Sequence, residues 1–275
     1  MKDNNDIFEF ARDIIPYNRS VVSTDVLKTL KKIKTKIKKL KIIKVRSGSK
    51  IFDWKIPYEW KAISAKIFDK NNNVIINYKK NNLHLVSHSI KFNKFLKLNE
   101  LKKKINFIKE KPSAIPYRTT YYKKDWGICI SYNQYKKLND KKYKVYIDTE
   151  FKKGFLRYGE YFKKGKSKKE ILFNTNICHP ALANNEVSGV VLLTYLSDYL
   201  SKLSTRYSYR IVFVPETIGA LTYIKKNYNS LKKNLLFGFN CVCVGDEKQY
   251  SLLKSKFMDS NSEFLAIKAL NKLKK

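Results

Sequence analysis

Histidine is scarce in this chain, with three in 275 residues. A site that needs imidazole must draw on His84, His88 or His179. Cysteine is scarce too: Cys129, Cys178, Cys241 and Cys243 form no CxxC pair, which counts against a zinc-finger arrangement and against a disulfide framework. Cys241 and Cys243 alternate in a strand-like run and read as small core residues. A reduced, cytoplasmic protein is therefore expected. No stretch approaches the ~20 consecutive apolar residues of a membrane span, and Met1 to Asp6 is polar, without the apolar segment of a secretory signal. Carboxylates are few, 23 against 58 basic residues, for a net charge of +35. That excess invites a polyanion-binding reading. Arginine argues against it, because only Arg12, Arg19, Arg46, Arg118, Arg157, Arg206 and Arg210 are present, and guanidinium is the preferred group for bidentate phosphate and base recognition. Abundant Lys, Asn, Ile, Tyr and Phe together are what an AT-rich coding sequence produces. No specific nucleic-acid partner and no membrane partner is expected.

What is present is ample core material, 43% apolar with 14% aromatic. Ile7, Phe8, Phe10, Ala11, Ile14 and Ile15 recur at helical spacing. A second helix is expected from Thr24 or Asp25 through Val26, Leu27, Leu30, Ile33 and Ile37. Its lysines could face a membrane or a phosphate backbone, but the same lysine density runs along the whole chain, which favours a core stripe with a solvated face. Residues 40–62 read as extended and aromatic, with Pro57 barring a helix. Strand patterns follow at 65–68, 74–78, 83–90, 126–130 and 143–147, with an amphipathic segment at 98–108, so residues 64–153 read as a β-rich module. After Gly154 the rhythm changes. Strands at 156–162, 171–177, 209–214 and 235–244 intersperse with helices at 185–203, 217–227 and 262–273, which predicts an α/β fold with parallel strands and covering helices.

Two of the predicted strands end in chemistry. Residues 171–177 run into Cys178-His179-Pro180 and then Asn184-Asn185-Glu186, and residues 209–214 run into Pro215-Glu216-Thr217. In open α/β sheets ligands collect outside the carboxyl ends of the strands. Zinc accepts imidazole nitrogen and carboxylate oxygen and, in catalytic centres, keeps a position for water. His179 and Glu186 are candidate metal ligands. Asn185 offers a neutral amide oxygen, a poorer zinc donor. Glu216 could serve as ligand or as general base toward a metal-activated water, and Asp246, at a third strand end, ranks below these. A bland reading stands beside this one, since a Glu after a strand is commonly a helix N-terminal charge. His84 and His88, four apart on one face if their strand is regular, read as structural.

These motifs carry a resemblance. Ile177-Cys178-His179-Pro180, Ala183-Asn184-Asn185-Glu186-Val187-Ser188-Gly189 and Val212-Phe213-Val214-Pro215-Glu216-Thr217-Ile218-Gly219 resemble aminopeptidase-like proteins often encoded beside polysaccharide-biosynthesis genes, formally a domain of unknown function. Asn18-Arg19-Ser20, Lys28-Thr29-Leu30, Phe52-Asp53-Trp54, Pro57-Tyr58-Glu59-Trp60, Asn82-Leu83-His84, Ala114-Ile115-Pro116-Tyr117, Trp126-Gly127 and Tyr158-Gly159-Glu160 extend it over nearly the whole chain. The resemblance implies a zinc-aminopeptidase-like mixed sheet with helices on both faces. That discontinuous domain, residues 1–63 and 154–275, would be interrupted by a small β-rich insert at 64–153.

By the same resemblance, His179 matches the first zinc-ligand histidine, Asn185 falls at the metal-bridging aspartate, and Glu216 at the general-base glutamate. Thr217 stands where a ligand glutamate is expected, Val242 where a later ligand aspartate is expected, and no histidine follows His179. The implied relatives continue past the point matching Lys275, so a truncated product with an incomplete site is the expectation. The expected function is that of a zinc-dependent, aminopeptidase-like amide hydrolase acting on a peptide or aminoacyl small molecule. The alternative is a non-catalytic binding or scaffold protein that retains the peptidase fold.

Overall fold

The computed structural model describes residues 4–121, 123–247, 250–256 and 260–273. The chain divides into two compact units, Met1–Pro57 with Gly154–Lys275, and Tyr58–Lys153. The first begins with α1 (Asn4–Ile14) and α2 (Thr24–Lys36), then β1 (Lys41–Arg46) and the short hairpin of β2 (Lys50–Ile51) and β3 (Trp54–Lys55). The second contains β4 (Glu59–Phe68), β5 (Val74–Asn77), β6 (Phe92–Lys97), α3 (Leu98–Lys102), β7 (Ile105–Asn106), β8 (Ile128–Cys129), α4 (Tyr132–Lys136) and β9 (Lys142–Lys152). The chain then returns to the first unit with β10 (Phe155–Lys163), β11 (Glu170–Asn176), α5 (Ser188–Ser201), β12 (Ser208–Val214), α6 (Ile218–Asn234), β13 (Leu235–Asn240) and α7 (Asn261–Leu273).

The sheet of the first unit has the order β1-β10-β12-β11-β13 and is mixed. β1 pairs antiparallel with β10, and β10 antiparallel with β12, while β12, β11 and β13 run parallel. β12 explains how one run of residues serves two layers. Ile211 and Phe213 pack with α1, α2 and α5 through Phe10, Ile14, Leu30, Ile33, Val190 and Leu193. Val212 and Val214 pack on the other face with Ile218 and Tyr223 of α6. A strand covered on both faces needs an apolar residue at every position instead of an alternating pattern, and Tyr209-Arg210-Ile211-Val212-Phe213-Val214 supplies one except at Arg210. The α/β architecture with helices on both faces follows from this.

The second unit is a four-stranded antiparallel sheet, β5-β4-β9-β6, with the small parallel pair β7-β8. Its core gathers Trp60, Ile67, Leu101, Trp126, Ile128, Val145 and Ile147. It begins at Tyr58, six residues before the position where the change of composition suggested, because β4 is already paired with β9 at Glu59. The expected strand at 83–90 is not formed. Asn82–His84 is a 3-10 turn whose preceding Asn81 side chain accepts from Leu83 N, and His88 has φ of 64°, so the two histidines do not share a strand face. His84 Nδ1 contacts the Cys129 carbonyl at 2.8 Å, and His88 stacks on Trp60 with ring centroids 5.3 Å apart. β13 ends at Asn240, four residues short of expectation; Cys243 has φ of 54°, so the Cys241 and Cys243 pair is not part of a strand. Among the described residues no helix is long and apolar enough to cross a membrane.

Candidate metal site at the strand ends

β12, β11 and β13 present their carboxyl ends at one rim of the sheet, and each is followed by a residue with positive φ: Thr217 at 56°, Ala181 at 49° and Cys243 at 54°. Such backbone is costly for residues other than glycine, most of all for a β-branched Thr, and recurs where a fold aims a side chain at a site. Strand register fixes who meets whom. Asn176 of β11 lies opposite Val214 of β12, and Ile177 N continues the ladder to the Val214 carbonyl at 3.2 Å. His179 and Glu216 follow within three residues of those ends.

The two side chains face each other. His179 Nε2 lies 3.4 Å from Glu216 Oε2, with the imidazole 15% exposed and the carboxylate 55% exposed. On the other side of the ring, His179 Nδ1 lies 3.4 Å from Glu186 Oε1. Glu186 is fully buried in a π-helical turn, Ala183–Val187, that leads into α5. Turns of this kind are frequent at functional sites. Its carboxylate accepts the backbone N–H of Cys178, and that of His179 at 2.6 Å, and it pairs with Arg19 Nε at 3.5 Å. α5 can approach β11 so closely because residue 189 is Gly; a Cβ there would collide with the Cys241 carbonyl and the Thr175 hydroxyl.

Cys178, beside the histidine, is almost fully buried, and its Sγ accepts the Glu216 backbone N–H at 3.2 Å. Burial, with the Glu186 charge behind it, pushes the thiol well above its ordinary range, so it is held neutral. His179 is pulled down by burial, but the Glu186 hydrogen bond and charge and the Glu216 charge outweigh burial and the opposing Arg19, so its pKa is raised.

Cys178, His179 and Glu186 bring potential ligand atoms within 4.8 Å of one another. Glu186, however, spends its oxygens on neighbouring N–H groups, and a buried neutral thiol is a poor donor. The exposed pair, His179 Nε2 with Glu216, has the nitrogen and oxygen chemistry that zinc prefers. At 3.4 Å the Glu216 carboxylate is close enough to serve as a base toward water on an ion that Nε2 would hold. Asn185 is exposed, and its side-chain amide nitrogen donates to Cys243 Sγ at 3.6 Å, while its backbone carbonyl accepts Cys243 N. Asp246 accepts from Asn184 Nδ2 at 3.0 Å. Arg19 and Cys178 are the residues that sequence reasoning left out of the site. A signal for Arg19 existed in the rarity of arginine in so lysine-rich a chain.

The chain is 38% identical over 265 residues to a Clostridium acetobutylicum protein named "Putative polysaccharide biosynthesis protein with aminopeptidase-like domain", covering 96% of this chain and 61% of that one. It therefore spans less than two thirds of that relative's length. The crystal structure of a "putative peptidase" from the same organism superposes with a TM-score of 0.92 at 38% identity, covering 97% of this chain and 63% of the other. BSAP, a zinc aminopeptidase from Bacillus subtilis, shares the fold at a TM-score of 0.60 and 12% identity, covering 96% of this chain and 77% of the enzyme. The family described as "Domain of unknown function (DUF4910)" matches residues 8–275, and the chain belongs to it.

Proposed function

We propose that this rim is a zinc-binding, aminopeptidase-type centre that hydrolyses an amide bond in a peptide or aminoacyl small molecule, in the service of polysaccharide biosynthesis, as the relative's name suggests. The observation that carries the proposal is the 3.4 Å approach of His179 Nε2 to Glu216 Oε2 from two adjacent parallel strands. His179 would hold zinc through Nε2, and Asn185 would add a neutral amide oxygen. Zinc bound here would supply a Lewis acid for the scissile carbonyl and would acidify water. Glu216, more than half exposed beside it, has the position and charge to take a proton from the attacking water and return it to the departing amine. Glu186 works from behind the ring, where its carboxylate fixes the imidazole, as carboxylates commonly do for metal-bound histidines.

A second reading is favoured by two specific observations. Residue 217 is a threonine and so offers no carboxylate, and the Asn185 amide already rests on Cys243 Sγ. A catalytic zinc centre takes three protein donors, and a protein with fewer would keep the crevice as a binding or scaffold surface. Elemental analysis of the purified chain, together with hydrolysis of aminoacyl and pyroglutamyl substrates, decides between them. Stoichiometric zinc lost in His179→Ala supports the hydrolase; a metal-free protein without hydrolysis supports the scaffold.

A further inference from the structure

We infer that Arg19 and Cys178, neither of which faces the rim, are positioning residues that hold His179 and Glu216 in register. This inference rests on the reading of that pair as the functional site. Arg19 sits between α1 and α2 with its side chain fully buried. One terminal nitrogen donates to the Ile14 carbonyl, Nε faces Glu186 Oε2 at 3.5 Å, and the other terminal nitrogen, Nη2, is buried without a hydrogen-bond partner among the described residues. Among the described residues, a guanidinium so enclosed has one anionic neighbour at close range, Glu186. At low local dielectric their attraction fixes the carboxylate more strongly than the long Nε contact alone would.

The consequence runs through Glu186. A carboxylate offers about four lone-pair sites, and those of Glu186 face Cys178 N, His179 N, Arg19 Nε and His179 Nδ1. The first two pin the backbone of the loop after β11, the last sets the imidazole plane, and Nε2 is thereby turned to the rim. Without the cation, the fully buried carboxylate would lose its counter-charge and with it what fixes its position, and the loop it pins would be released.

Cys178 acts on the neighbouring loop. Its Sγ receives the Glu216 N–H at 3.2 Å, so the segment after β12 is fastened to the segment after β11 at the residue next to the histidine. The thiol also lies 3.7 Å from His179 Nδ1. Burial keeps it a neutral packing group and an acceptor.

The test uses the rarity of histidine. Selective 13C,15N-histidine labelling of the whole protein yields signals from three residues only, of which His84 and His88 lie in the Tyr58–Lys153 unit and serve as internal references. Arg19→Lys, Arg19→Met with Glu186→Gln, Cys178→Ala and Cys178→Ser are compared with the parent, without metal and then in zinc titrations. The expected result is a shifted and broadened His179 imidazole signal in the first three, with His84 and His88 unmoved, and recovery in Cys178→Ser, which retains an acceptor. Zinc affinity falls about 10- to 100-fold in step. Glu186→Gln alone serves as the control for the double variant, whose difference from it reports the arginine's share even if the single Arg19 change prevents folding. Folded variants with an unchanged His179 signal would overturn the inference. A parent protein that takes up no zinc while the variants still disturb His179 would leave the positioning roles standing and remove the zinc proposal instead.

Discussion

Arg210 and Glu170 form a two-pronged ion pair between the parallel strands β12 and β11, with Nε to Oε2 at 2.7 Å and Nη2 to Oε1 at 3.1 Å. The same guanidinium reaches Glu160 of β10 at 3.1 Å. Arg210 interrupts the apolar run of β12, yet it is buried because three adjacent strands share its charge. Those strands include the two whose opposite ends carry His179 and Glu216.

Removal of this cation should therefore be costly. Arg210→Met leaves two carboxylates facing an apolar layer, and loss of one partner of a buried pair costs about 3–5 kcal/mol. Urea unfolding should show that loss. Arg210→Met combined with Glu170→Met should recover part of it. An Arg210→Met variant within 1 kcal/mol of the parent would contradict this account of the sheet.

His88 supplies a pH dependence. Burial lowers its pKa from 6.5 to about 4, and its Nε2 has no hydrogen-bond partner among the described residues. The folded state thus holds fewer protons on this group than the unfolded chain. Its contribution is fully present above about pH 6.5 and is lost as pH falls toward 4, by about 3 kcal/mol in all. His88→Asn, which tolerates positive φ, should flatten that part of the stability profile. Parallel profiles for the two proteins between pH 7 and 4 would refute the assignment.

Thr217 holds φ of 56° and ψ of −90° at the start of α6. Strain of that kind is of order 1–3 kcal/mol, while glycine's extra freedom in the unfolded chain returns roughly 0.5–1 kcal/mol of the benefit. Thr217→Gly should raise stability by about 1 kcal/mol in denaturant titrations. A loss of that size would show that the conformation is not strained.

The parallel strands and the meeting of His179 with Glu216 were legible in the sequence because each follows from local pattern. An unbroken apolar run marks a strand covered on both faces, and proline after the histidine ends it. The opening residue of the second unit was not, since Glu59 and Trp60 belong to a strand whose partner, β9, lies some ninety residues on. Val86 to Ser89 has strand-like composition, but its backbone bonds go to the loop at Arg118 and Gly127 instead of to a ladder. Arg19 lies 167 residues from Glu186 in the chain, and no periodicity links them. Cys178 reads in the sequence as one of four scattered cysteines, while in the fold its Sγ accepts the Glu216 backbone N–H of the neighbouring loop.

Anomalous diffraction at the zinc edge, from crystals grown with one equivalent of zinc, tests the central claim most directly. The account predicts one strong peak about 2.1 Å from His179 Nε2 and next to the Glu216 carboxylate. A peak elsewhere, or none at that rim, would contradict it.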